Sequence, residues 1–122
     1  EGRRGETNQT MGVLTRGVEF HHVAREVRCK WSMDDDKASL QAAQQLLAEH
    51  LAELKGVDGV VSVQRVVCGG CRDFKIITKV NADKFGAFEA DGFAGEAAFL
   101  DKLGAVSGLS HVETQTYTLE DM

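Results

Sequence analysis

A chain of 122 residues with 43% hydrophobic and 27% charged side chains has the size of one domain with one core, and a composition far from that of disorder. Its net charge of −5, with Arg3, Arg4 and Arg16 scattered, supplies no dense basic stripe and argues against nucleic acid as a partner. No apolar run approaches the roughly 20 residues that cross a bilayer and no signal-peptide pattern is present, so a soluble domain without a direct membrane span is expected.

Residues 1–10 carry no apolar side chain and cannot alone offset the entropy of being ordered. We take residues 1–20 as a polar N-terminal arm that lies on another surface. The alternation of Val23, Arg25, Val27, Cys29 and Trp31 against Ala24, Glu26, Arg28 and Lys30 predicts a strand with one mostly apolar face. Asp34, Asp35 and Asp36 then stand where a helix N-terminus favours negative charge and side-chain caps. They lack the spaced oxygen ligands and central glycine of a calcium loop. Leu40, Ala43, Leu47, Leu51 and Leu54 recur at helical spacing and predict an amphipathic helix that stops at Gly56.

Two further strands follow, Val60 to Val67 and Phe74 to Val80, with Gly69-Gly70 as a tight hairpin turn between them. A second helical region runs from about Ala82 to Leu103, and its glycines predict two shorter helices bent near Asp91-Gly92. Those glycines form no phosphate loop. The β-favouring stretch Val112 to Leu119 closes the chain as a strand.

An internal repeat organises these pieces. Leu54-x-x-Val57-x-Gly59-Val60-x-x-Val63 matches Leu103-x-x-Val106-x-Gly108-Leu109-x-x-Val112 without a gap, at an offset of 49 residues (54 to 103). The same offset carries Val27 onto Ile76 and Trp31 onto Val80. Two strand-helix-strand units predict an α+β, ferredoxin-like βαββαβ domain over residues 21–122. Right-handed crossovers place two helical segments on one face of a four-stranded antiparallel sheet. Ile77, opposite in direction to Ile76, suggests that the other face is partly apolar and needs a cover.

Two resemblances arise at this point. Val63 to Val80 with Gly70-x-x-Asp73-Phe74, followed by Gly108-Leu109-x-x-Val112-x-Thr114, resembles the effector-binding domain of the Lrp/AsnC regulators over roughly residues 50–122. That likeness implies a dimeric α+β barrel with a small metabolite bound near Gly70, Asp73 and Thr114. His21-His22-Val23, Lys30-Trp31-Ser32, Phe88-Glu89-Ala90 and Ala98-Phe99-Leu100 are similar to the stress-responsive A/B-barrel proteins and their monooxygenase cousins. Those are also dimeric barrels, some acting on small hydrophobic compounds. The histidine common in their second helix is replaced here by Ala94-Gly95-Glu96.

Cys68-Gly-Gly-Cys71 is open to three readings: ordinary thiols, the commonest case; a disulfide across the hairpin; or a metal or redox site, which half a zinc motif supports weakly. Cys29 reads as a small core residue. His21 and His22 are adjacent on a strand and so point to opposite faces, while His50 and His111 read as surface or satisfied histidines. Phe85, Phe88, Phe93 and Phe99 either pack the core or line an apolar cavity.

Three cysteines with one close pair do not form a secreted disulfide framework, so a reducing intracellular compartment is expected. The sequence opens on Glu1 rather than Met, as in a processed product, a fragment or a chain with residual vector sequence; a chloroplast or mitochondrial origin is compatible with this. With no catalytic set recognisable, the expected function is a non-catalytic protein-association module. It would be an accessory or oligomer-forming subunit that meets a protein partner or itself through the sheet face and arm, without cofactor and without enzymatic activity. Two alternatives stand beside it. One is a stand-alone effector domain; the other is an A/B-barrel enzyme using the phenylalanine-lined interior and His22.

Overall fold

The computed structural model describes residues 11–122. A small hairpin, β1 (Gly12–Thr15) and β2 (Val18–Phe20), precedes the main body. The body runs β3 (His22–Lys30), α1 (Asp34–Lys55), β4 (Val60–Val67), β5 (Asp73–Asn81), α2 (Ala82–Ala90), α3 (Gly92–Gly104) and β6 (Ser110–Leu119). Its sheet has the order β4-β5-β3-β6 with every pair antiparallel, which is the ferredoxin-like α+β topology expected from the doubled unit.

Alternation within the strands sorts the sheet into two faces. Val23, Cys29 and Trp31 of the β3 segment join Phe74, Ile76 and Val80 of β5 on the inner face. Leu47 and Leu54 of α1, Phe85 and Phe88 of α2 and Phe99 and Leu103 of α3 pack on them to complete the core. Phe74, Val80 and Leu103 are the largest side chains fully removed from solvent. Each is worth on the order of 2 kcal/mol of burial.

The repeat is visible in backbone detail. After α1, Val57 N donates to Leu54 O and Val60 N to Val57 O; after α3, Val106 N donates to Leu103 O and Leu109 N to Val106 O. Gly59 and Gly108 lie at the same point of the two turns with φ of +92° and +94°. Each also touches the start of the other unit's helix. A Cβ on Gly59 would fall 2.3 Å from Lys84 Cβ, and one on Gly108 would fall 2.9 Å from Ser39 Cβ. Glycine is required at both for conformation and for space.

Four expectations need correction. Within the anticipated polar arm, residues 11–20 hold a hairpin with Val13, Leu14 and Val18 exposed, and residues 1–10 lie outside the described part. The three aspartates do not cap α1: Asp35, Asp36 and Lys37 adopt left-handed φ, and no side-chain cap bond forms. Instead Ser39 Oγ accepts Ser32 N, just ahead of the helix, and Ser32 Oγ accepts Asp34 N, its first residue. The β4–β5 turn is wider than a Gly-Gly pair. Cys68 N donates to Asp73 O, and Arg72, rather than either glycine, takes the positive φ of 62°. Finally, the outer sheet face is more polar than Ile77 suggested. Glu26 is only 3% exposed there and accepts bonds from Tyr117 Oη at 2.8 Å and Arg28 Nε at 2.6 Å.

Candidate active site

Between the inner sheet face and the helices lies a cavity lined by Arg25, His50, Thr78, Phe88, Phe93, Glu96 and Phe99, with aliphatic walls. Its free space is about 20 Å³, room for one water. Three elements bring its polar groups together. Arg25 comes from an inward position of β3, where the neighbours Val23 and Val27 are apolar. Glu96 comes from α3, just after Phe93, Ala94 and Gly95 adopt positive φ and re-aim the chain. His50 comes from the second turn from the C-terminal end of α1.

Arg25 and Glu96 form a two-pronged ion pair, Nε to Oε1 at 2.8 Å and Nη2 to Oε2 at 2.7 Å. Both side chains are largely shielded, at 18% and 11% exposure, so the pair is far less screened than a surface one. The Glu96 hydrogen bonds hold the guanidinium above its ordinary pKa and therefore firmly charged. Arg25 Nη1 also donates to Thr116 Oγ1, and its guanidinium carbon lies 4.0 Å from the centre of the Phe93 ring.

His50 is stacked on Phe99, with ring centres 5.0 Å apart and planes at 19°. Its Nδ1 pairs with Glu53 Oε1 at 3.2 Å, one turn along the same helix. With Nδ1 beside Glu53, the other ring nitrogen, Nε2, is the one that faces the interior. Nε2 is the one buried side-chain polar atom without a hydrogen-bond partner among the described residues. The shortness of Gly95 keeps this arrangement open: a Cβ there would sit 3.3 Å from Glu53 Oε2.

Phe88, Phe93 and Phe99, expected either to pack the core or to line an apolar cavity, line this one, and Phe85 packs in the core; the other residues singled out in the sequence fall elsewhere. Gly70 is exposed in the β4–β5 turn, and Asp73 opens β5 with its carboxylate on Lys30 Nζ at 2.5 Å. That contact holds the Asp73 pKa below the ordinary aspartate value. Thr114 lies on β6 opposite Val27, with β3 between it and β5. Two strand spacings and three residue rises separate Thr114 from Asp73, about 10 Å across and about 10 Å along, so one chain does not bring the trio together. His22 pairs with Asn81 and Leu119 on the outer face, away from the cavity, and its pKa is lowered by burial and then by Lys79. His21 donates its backbone N–H to Glu120, and its Nδ1 lies 2.7 Å from the same carboxylate. His111 sits at a positive φ in a bulge of β6. Cys68 and Cys71 are joined as a disulfide, in place of the ordinary thiols expected as the commonest case, and Cys29 is the buried core residue anticipated.

Sequence reading missed Arg25, His50 and Glu96. One signal was available for two of them: a cation at an inward strand position and an anion at an inward position of a phenylalanine-rich helix.

No protein-family profile and no curated relative matches the sequence. Solved structures do. A monooxygenase of Streptomyces coelicolor from the gene ActVA-Orf6, solved with Nanaomycin D, has a TM-score of 0.63 and 13% identity over 84% of this chain and 90% of that one. A Deinococcus radiodurans protein named for the antibiotic biosynthesis monooxygenases gives 0.60 and 16% identity over 82% of this chain and 94% of its own. SnoaB of Streptomyces nogalater, a cofactor-independent oxygenase, gives 0.57 and 15% over 84% and 96%. They match the A/B-barrel resemblance, while the one to Lrp/AsnC effector domains finds no support among them. They also overturn the expectation of a non-catalytic association module without enzymatic activity, because proteins sharing the fold along nearly their whole length are named as oxygenases. The chain has the ferredoxin-like α+β fold of the antibiotic biosynthesis monooxygenases.

Proposed function

We propose that the chain is an oxygenase for a small, largely apolar aromatic compound bound in the cavity between helices and sheet. The observation that carries this reading is the buried, unpartnered Nε2 of His50 in an aromatic pocket beside the Arg25–Glu96 pair. A native interior leaves such a nitrogen unsatisfied rarely, and the cost is held where it serves a ligand. The neighbours' names supply the reaction class.

The chemistry follows from the groups present. His50 Nε2 accepts a proton from an acidic C–H or phenolic O–H, with Glu53 on Nδ1 stabilising the imidazolium that forms. Arg25 faces the negative charge left on the substrate and stabilises it in a water-poor site. The electron-rich anion then reduces dioxygen directly: a methylene and O2 become a carbonyl and water, so atoms and electrons balance without an outside reductant. Because the free space holds a single water, an aromatic substrate has to displace lining side chains to enter.

Oxygen uptake and product mass, measured on the purified chain with a panel of anthrone-type and quinol-type aromatics, test the reading. One oxygen atom should be gained per turnover, and His50→Gln should cut kcat by roughly 10²–10⁴. A folded wild-type chain that neither binds any member of the panel nor consumes oxygen with it would overturn the proposal.

A further inference from the structure

The β4–β5 turn, bonded to the β3–α1 junction, carries a second chemical feature. Cys68 and Cys71 close a ring over only two intervening residues, Gly69 and Gly70. So short a ring removes little entropy from the unfolded chain, and the backbone bond from Cys68 N to Asp73 O already closes the turn. The bond is therefore a weak structural staple. Cys71 and both glycines are exposed, so an attacking sulfur can reach it.

The residues that follow the ring hold the chain's single tryptophan. Arg72 O accepts Trp31 N at 2.9 Å, Asp73 O accepts Trp31 Nε1 at 3.2 Å, and the Arg72 guanidinium lies 5.5 Å from the indole centre. Lys30 Nζ adds a bond to Cys71 O at 2.9 Å. The turn thus grips the β3–α1 junction through Arg72, which is held at a positive φ of 62° that a non-glycine residue adopts only under constraint.

We propose that Cys68 and Cys71 form a reversible dithiol–disulfide site, reduced by a dithiol, whose state is transmitted to Trp31 through Arg72 and Asp73. The two sulfurs are unequal. Cys68 Sγ accepts the backbone N–H of Cys71 at 3.0 Å, while Cys71 Sγ lies 3.4 Å from the Asp73 carboxylate. A reductant thiolate attacks the exposed Cys71 Sγ, the sulfur–sulfur bond breaks, and its electron pair leaves on Cys68 Sγ, where the amide donor stabilises it. The second thiol of the reductant then attacks its own mixed disulfide and expels Cys71 as a thiolate, which takes up a proton. Cys68 takes up the second proton that the reductant's thiols released, so two electrons and two protons have moved, and the reductant departs as its disulfide. In the reduced state the Cys71 S–H donates to Asp73, in competition with Lys30, and this loosens the grip on Trp31.

The test equilibrates the folded chain against mixtures of reduced and oxidised dithiothreitol, followed by alkylation, intact mass and Trp31 fluorescence. The expected result is a single transition that adds two alkyl groups per chain, leaves buried Cys29 unmodified, and shifts Trp31 emission at the same midpoint. Cys68→Ser/Cys71→Ser should hold the reduced emission at every ratio. A bond that resists reduction until the chain unfolds would overturn the site, as would two thiols that stay alkylatable at every ratio. Full alkylation with unmoved Trp31 emission would overturn the transmission. None of these outcomes depends on oxygen uptake, so this proposal and the oxygenase reading fail separately.

Discussion

On each face of the sheet an arginine of β3 is paired with a glutamate, and the difference between the two pairs separates structure from chemistry. On the outer face, Glu26 uses both oxygens, one for Tyr117 and one for Arg28, and Arg28 goes on to Gln115 at 2.7 Å. Both oxygens of the buried Glu26 carboxylate are taken, so the network ties β3 to β6 and leaves that carboxylate nothing to offer a ligand. On the inner face the Arg25–Glu96 pair is equally well formed, but it sits among phenylalanines beside His50 Nε2, which has no partner, and next to free space. A network closed on itself stabilises; one left open by a single nitrogen is prepared for a ligand.

Removing one partner should separate the faces by magnitude. Glu96→Ala leaves Arg25 charged and shielded between sheet and helix, and should lower unfolding free energy by about 3 kcal/mol in a denaturant titration. Replacing both partners by apolar residues, as in Arg25→Met/Glu96→Leu, should restore much of that loss while leaving oxygen uptake abolished. Glu26→Ala on the outer face should cost less, about 2 kcal/mol, because the Tyr117 hydroxyl is half-buried and can recruit water. Oxygen uptake should survive it. Equal loss of activity in the Glu26 and Glu96 variants at a temperature where both are folded would erase the distinction between the faces.

His50→Leu sharpens the contrast further, since it deletes a buried polar atom that no hydrogen bond supports. Stability should stay within about 1 kcal/mol of wild type, or rise, while turnover is lost. A large destabilisation would instead mark His50 as a structural residue held by its stacking on Phe99.

How far these features were legible in the sequence depends on what wrote them. The doubled unit was fully legible, because Leu54 and Leu103, and Gly59 and Gly108, are forced by burial and by positive φ, demands that act on residue identity locally. The bend at Gly92 followed from the same kind of demand. The cavity was legible in its phenylalanine walls but not in its polar groups. Arg25 looked like a lone interruption of an apolar stripe, Glu96 like a polar helix position, and His50 like a surface histidine, and only the packing of α3 across β3 and α1 brings them together. The three aspartates misled because their composition suits a cap, whereas the backbone turns left-handed at Asp35, Asp36 and Lys37 and no side-chain cap bond forms.

The smallest expected effect is a titration on the outer face. Burial first, and the hydrogen bond to Glu26 second, push the Tyr117 hydroxyl up to about 12 from an ordinary value of 10.0. The folded chain therefore keeps a proton that the unfolded chain releases. Its contribution to stability is complete below about pH 10 and is lost as pH rises through the folded value. Tyr117 is the only tyrosine, so tyrosinate absorbance follows this one group without ambiguity. Glu26→Gln removes the carboxylate but keeps the side-chain shape, and since burial is the leading cause it should bring the midpoint only partway back toward 10. A midpoint near 10 already in the wild-type chain would mean that water reaches the Glu26 network, and the outer face would lose its claim to be the closed one.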